Sequence, residues 1–475
     1  MFNKRFGKNL FLVAFSRLVS LASGVLVGLL LPKMFSITDY GYYKVYTLYA
    51  VYTALLHFGF VDGLLLKLAG KDYDELDRGR MRAYARFFIA FEGLILFVMV
   101  GAGLLFLKGE YLFVLLMLAV NMMIINLTTY YQFVSQAVQR FGEYSAKSLM
   151  VSVAKLIFVC ALFLLYYFDI SHSSYRIYLI GITVFDFLML FWYIVKYNDI
   201  TFGKSAPLKD VRKDLADIFK TGIVLTLAYQ VSHFVLALDR QFVNVLYTTE
   251  TFAVYSFAYN IVTMISTMIS SVAIVLLPML KNNSKEYVKS SYKKCVTGIA
   301  LISSVSLLCY YPFAAFIRWF LPDYAASLEY ISIVMPSLLF TSVITVVIFT
   351  VAKVMDMNMA FFKDSCVVLV LSLAANYLAY LIFDSPKAIS YASLLVMVMW
   401  LIISSARMRR KIGEGITKDT VYLVIVSAGF ILISVLGINL VQGFLCYLGF
   451  LALCTVAFYK GLLIELKELI THRKK

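Results

Sequence analysis

Apolar stretches recur along the whole chain, separated by short polar loops. About fourteen of them reach the roughly 20 residues that a membrane-crossing helix needs. They are Asn9–Leu31, Gly41–Leu66, Ala83–Leu107, Tyr111–Ala137, Ser148–Phe168, Tyr175–Val195, Phe219–Leu246, Thr251–Met279, Cys295–Ile317, Ser327–Val354, Asp364–Phe383, Ala388–Ala406, Thr420–Leu440 and Gly443–Gly461. The polar–apolar alternation of membrane barrel strands is absent. The pattern therefore predicts an all-α integral membrane protein. The longest connector, Lys196–Asp217, follows the sixth stretch and carries Pro207, where a two-lobed bundle needs its link. Pro336 inside the tenth stretch predicts a kink.

The turn Thr38-Asp39-Tyr40-Gly41-Tyr42-Tyr43 returns in weak form as Glu250-Thr251-Phe252-Ala253-Val254-Tyr255, about 210 residues later, as in an internally duplicated chain. The expected organisation is an N-terminal lobe of helices 1–6 (residues 1–198), a linker (199–218), a C-terminal lobe of helices 7–12 (219–412), and two extra helices with a basic tail (413–475).

The loops give the orientation. With the N-terminus in the cytoplasm, most of the 43 Lys and Arg residues fall in cytoplasmic loops. The opposite side receives only Lys33, Lys44, Lys108, Arg176, Arg318 and Lys387. That is the bias that sets helix topology, and it places both termini in the cytoplasm. Lys4, Arg5 and Lys8 ahead of the first stretch resemble a signal peptide, but the stretch is too long and further spans follow, so an uncleaved helix is expected.

Composition agrees. The 475 residues are 62% hydrophobic and 15% charged, against about 45–50% and 25% in soluble chains. The net charge of +16 is dispersed over many loops, so no nucleic-acid surface is expected and membrane lipids are the expected contacts. No loop is long enough for a folded extramembrane domain, and no phosphate-binding Gly-rich loop occurs. Both observations argue against an enzyme and against ATP hydrolysis. The six cysteines and four histidines show neither disulfide nor metal-ligand spacing.

Ionisable groups inside spans are costly and normally face a bundle interior or a wet cavity. Here they are Arg17, Asp62, Glu92, Lys155, Asp186, Asp239 and Arg240, all in the first seven stretches. Arg17, Lys155 and Arg240 suit a phosphate-bearing ligand. Alternatively each base is neutralised by a carboxylate, as Arg17 by Glu92 or Arg240 by Asp239. The acids Glu92, Asp186, Asp62 and Asp239 are candidates for charge pairing or for coupling to a proton or sodium gradient. The membrane potential is a further source, at about 2.3 kcal/mol per charge per 100 mV. Tyr43, Tyr46, Tyr49 and Tyr52 recur every three residues. Tyr46, Tyr49 and Tyr52 are candidates for a platform under sugar rings, and an interfacial aromatic belt is the other reading. Asn121, Asn126, Gln132 and Gln136 either line a cavity or hydrogen-bond between helices.

With these residues in view, the chain resembles the polysaccharide-transport flippases, the Wzx-type O-antigen and capsule repeat-unit translocases of the multidrug/oligosaccharidyl-lipid/polysaccharide exporter superfamily. The resemblance rests on the Thr38–Tyr43 turn, on His57-Phe58-Gly59-Phe60-Val61-Asp62-Gly63, on Leu238-Asp239-Arg240 and on Ala253-Val254-Tyr255-Ser256. It implies two pseudo-symmetric six-helix lobes, alternating access, a bacterial inner-membrane location and no cofactor. It also implies an undecaprenyl-diphosphate-linked oligosaccharide as cargo, with the pathway's polymerase and chain-length proteins as partners. The rival is an ion-coupled exporter of small organic cations on the same fold, which calls for an acidic cavity.

Overall fold

A computed structural model describes residues 4–170, 174–281 and 283–472. Among them every regular element is helical. In chain order these are α1 Lys4–Met34, α2 Ile37–Ala50, α3 Phe60–Leu68, α4 Arg78–Phe106, α5 Gly109–Ala137, α6 Phe141–Tyr167, α7 Tyr175–Lys196, the single turn α8 Asn198–Thr201, and α9 Leu208–Leu246. Then come α10 Thr249–Lys281, α11 Lys285–Ser306, α12 Tyr310–Phe320, α13 Ser327–Val334, α14 Ser337–Ser342, α15 Phe349–Val354, α16 Asn358–Phe383, α17 Pro386–Ile412, α18 Thr417–Val435 and α19 Leu440–His472. Among the described residues eleven helices are long and apolar enough to cross a membrane, or up to 13 if each of two bent pairs is one span, and Leu18–Met34 is a shorter apolar helix. The protein is an all-α, multi-pass membrane protein. The backbone demands this, since a span in lipid must satisfy its own N–H and C=O groups.

The chain divides into two compact units. One is Met1–His233 with Thr248–Ala253, the other Phe234–Tyr247 with Val254–Lys475. The boundaries thus fall inside α9 and α10 rather than in the loop between residues 202 and 207.

In the first unit α1 and α6 are joined by small hydroxyl residues. The Ser20 hydroxyl lies 2.6 Å from Ser152 Oγ, and Ser23 donates to the Ser152 carbonyl at 2.9 Å. Small residues let backbones approach where lipid supplies no hydrophobic drive between helices. The core runs through Phe60, Phe88, Tyr130, Tyr131 and Tyr193, and it includes Val211, Leu215 and Ile218 of α9. The segment ahead of α9 is pinned to α4: Arg82 donates to the carbonyls of Asp199 and Lys204, Arg86 to Gly203 O and Ser205 Oγ, and Ala206 N–H to Gly79 O.

The second span is broken. α2 ends at Ala50, a tight turn covers Thr53–His57, Phe58 and Gly59 take positive φ (48° and 81°), and α3 leaves at 55°. Gly59, Gly63 and Gly222 make this geometry possible. A Cβ on Gly222 would lie 1.8 Å from Gly59 O, and one on Gly63 2.0 Å from Ile218 O, so α3 and α9 cross backbone to backbone.

In the second unit Pro336 separates α13 from α14, at the predicted kink, and a π-helical turn, Val343–Ile348, follows. α16 and α17 are clamped by Arg407 on the nearly inaccessible Asp364. α18 and α19 pack on α11 through Asp419, which accepts from Thr297 Oγ1 at 2.7 Å and from Tyr459 OH at 2.8 Å.

Candidate functional site

In the first unit α5, α6 and α7 bring a charged group together inside the spans. Lys155 Nζ lies 3.3 Å from Asp186 Oδ1. Asn121 of α5 turns its amide to Asp186 and to Thr183, each at 3.4 Å. The Lys155 side chain keeps 30% exposure and Asp186 12%, so the pair is partly open. Lys155, expected as an anion binder or as a base neutralised by a carboxylate, and Asp186, expected to pair a base or to couple an ion, are thus partners. Tyr43 of α2 packs edge-on against Tyr178 of α7, with ring centroids 5.4 Å apart.

Tyr49 and Tyr52 are placed differently. They meet edge to face, with centroids 6.2 Å apart, and line an apolar cavity of about 440 Å³ with Leu56, Met99, Val114 and Leu118. α2 stops at Ala50, but Val51 and Tyr52 keep right-handed backbone angles, so Tyr52 stays beside Tyr49.

Glu92 of α4 is fully buried and accepts from the Asn126 amide of α5 at 3.1 and 3.2 Å. Asn121 and Asn126 therefore hydrogen-bond between helices. Asp62 of α3 accepts from Thr226 of α9, and His57 Nε2 lies 3.9 Å from it. The Arg17 side chain lies outside the described residues.

The second unit holds a buried polar group around Asp239 of α9. Asp239 is 3% exposed and accepts from Tyr255 OH at 2.8 Å, from Tyr259 OH and from the Arg240 backbone N–H. Ser390 Oγ donates to Tyr255 OH, and Ser393 Oγ donates to Asn376 Oδ1 at 3.0 Å. Asp239, Tyr259, Ser390, Ser393 and Thr341 border a cavity of about 30 Å³, enough for a water molecule or a small cation. The Arg240 guanidinium donates to Leu236 O at 3.2 Å and lies 4.9 Å over the ring of Tyr259, and its buried Nε has no hydrogen-bond partner among the described residues. Sequence reasoning missed Tyr255 and Tyr259 as partners of Asp239, and Ser390 as the residue that hydrogen-bonds Tyr255. The signal was the four-residue spacing of the two tyrosines, which puts both on one helix face. Among the described residues no cluster of three or more His, Cys, Asp or Glu side chains suits a metal ion.

Several solved structures share this architecture. A structure titled lipid II flippase MurJ, inward closed conformation, is similar over 95% of this chain and 100% of its own, with a TM-score of 0.72 at 14% identity. An inward-facing multidrug resistance MATE family transporter of the MOP superfamily covers 84% of this chain and 94% of its own, with a TM-score of 0.61 at 14% identity. A Vibrio cholerae MATE transporter covers 85% and 97%, with a TM-score of 0.56 at 14% identity. No family model and no curated protein sequence matches the chain. The likeness shows the fold.

Proposed function

We propose that the protein moves an undecaprenyl-diphosphate-linked oligosaccharide repeat unit from the cytoplasmic to the outer leaflet of a bacterial inner membrane by alternating access. The work serves O-antigen, capsule or another surface polysaccharide. The observation that carries this reading is coverage. The lipid-linked flippase fold extends over 95% of the chain, the MATE folds over about 85%. The difference is close to the size of α18 and α19, the pair expected beyond a twelve-helix exporter.

The Lys155–Asp186 pair supplies the chemistry. A diphosphate competes for the ammonium group, and Asn121 stays as a hydrogen-bond partner for the released carboxylate. Lysine acts here as a point charge, and Arg17 and Arg240 are proposed as further phosphate contacts. Asp239, with its two tyrosine hydroxyls and small cavity, is proposed as the coupling carboxylate for a proton or sodium ion. Export of small organic cations is the second reading, favoured by the buried acids Glu92 and Asp239 and by the MATE likeness.

The test is glycan export in cells lacking their own flippase, with membrane levels of the variant quantified. Lys155→Ala should abolish export, Lys155→Arg should retain part of it, and Asp239→Asn should abolish it. Full export by Lys155→Ala, or resistance to cationic drugs conferred without glycan export, would refute the lipid-linked reading.

A further inference from the structure

The break in the second span is built around a histidine. His57 is 5% exposed and closes the turn Thr53–His57. Its Nδ1 accepts the Gly59 backbone N–H at 3.0 Å. That N–H begins α3 and has no helical carbonyl to use, because Phe58 and Gly59 are left-handed. An accepting Nδ1 carries no proton, so the neutral ring bears its hydrogen on Nε2. Nε2 faces Asp62 Oδ2 across 3.9 Å, too long for a hydrogen bond. The other contact of that carboxylate oxygen is the Thr226 hydroxyl of α9.

α9 supports the break at two further points. Gln230 donates at 2.7 Å to the Val51 carbonyl, which the end of α2 leaves without its helical partner, and Gly222 lies against Gly59. α4 contributes Phe91, whose ring is 5.9 Å from Phe58, while its Glu92 is held by Asn126.

We propose that His57 and Asp62 form a proton-binding site whose occupancy sets the geometry of the broken second span. A proton added to His57 must go to Nδ1. There it faces the Gly59 N–H, donor against donor, and the cap that holds the turn is lost. The imidazolium is then drawn to Asp62, closing the 3.9 Å gap into a charge-assisted hydrogen bond. The capped turn therefore requires an unprotonated Nδ1, and the ion pair requires the turn to rearrange. Because linkage is reciprocal, whatever straightens the span raises its proton affinity by the factor that a proton favours straightening. This site involves no cargo-binding residue, so it stands or falls separately from the lipid-linked reading.

Hydrogen–deuterium exchange of the full-length protein in lipid nanodiscs tests it, with no cargo added. Uptake by peptides spanning residues 51–62 is followed from about pH 3.5 to 8, which brackets the titration of buried His and carboxylate groups, after correction for intrinsic exchange. The wild type should show a sigmoidal rise in exchange toward acid of at least about fivefold, the lower end of ordinary coupling. His57→Asn keeps a carbonyl acceptor for the Gly59 N–H but cannot titrate, and should abolish the rise. Asp62→Asn removes the partner that favours the imidazolium, and should move the midpoint to lower pH. A flat wild-type profile, or a rise that survives in His57→Asn, overturns the proposal. Should His57→Asn not fold, Asp62→Asn decides, and an unmoved midpoint overturns it.

Discussion

Gly222 offers the sharpest test of how the first unit is held together. Gly222→Ala places a Cβ 1.8 Å from Gly59 O and 2.6 Å from Gly63 N, whereas real Cβ contacts do not fall below 3.0 Å. The near atoms are backbone, so no side chain can swing away, and α3 and α9 must part by more than about 1 Å. Overpacking of this kind costs about 1–3 kcal/mol. Parting also stretches the Thr226–Asp62 and Gln230–Val51 hydrogen bonds, each worth about 0.5–1.5 kcal/mol. The expected loss is therefore about 2–5 kcal/mol. Gly93→Ala is the control, since a Cβ on Gly93 meets nothing within 4 Å, and alanine there should be neutral or gain up to about 1 kcal/mol. Thermal inactivation in detergent, followed by size-exclusion chromatography of the heated protein, should rank Gly222→Ala well below both wild type and Gly93→Ala. Equal resistance of Gly222→Ala and Gly93→Ala to heating would refute the backbone-to-backbone crossing.

Two further outcomes are expected. Arg407→Ala strands the Asp364 carboxylate, whose side chain is 3% exposed. It should cost about 2–4 kcal/mol, somewhat under the value for a fully buried pair because the guanidinium is 42% exposed; the double variant with Asp364→Asn should recover part of the lost heat resistance, and no recovery would refute an ion-pair role. Ser205→Cys, in a background without native cysteines, should resist an impermeant thiol reagent in intact cells and label after permeabilisation, and labelling from outside would refute the assigned orientation.

The spans were legible because length and hydropathy depend on composition alone, and the helices from α4 Arg78–Phe106 to α19, the single turn α8 apart, overlap the predicted stretches. The break at 51–59 was not. It depends on the left-handed Phe58 and Gly59 and on α9 lying against them, about 160 residues further along the chain. Gly59-x-x-x-Gly63 was the available signal, since that spacing marks close helix crossings. Charged residues were legible by type but not by partner. Lys155 and Asp186 meet only because α6 and α7 pack antiparallel, and Glu92 finds an amide rather than a base. Tyr49 and Tyr52 do meet on one cavity wall, as their spacing suggests.

The unit boundary inside α9 has a consequence for cutting the chain. The loop at 202–207 looks like the natural place to split a two-part protein, yet a fragment ending there lacks Val211, Leu215 and Ile218, which belong to the first unit's core. It also lacks Phe219, whose ring packs tilted or edge-on among Phe60, Phe87 and Phe91. Two half-proteins divided at Pro207 would each be born incomplete, the first with a bare aromatic groove and the second carrying the helix meant to fill it. If an ancestral duplication joined two self-sufficient halves, the present chain has since traded that independence for one helix shared by both.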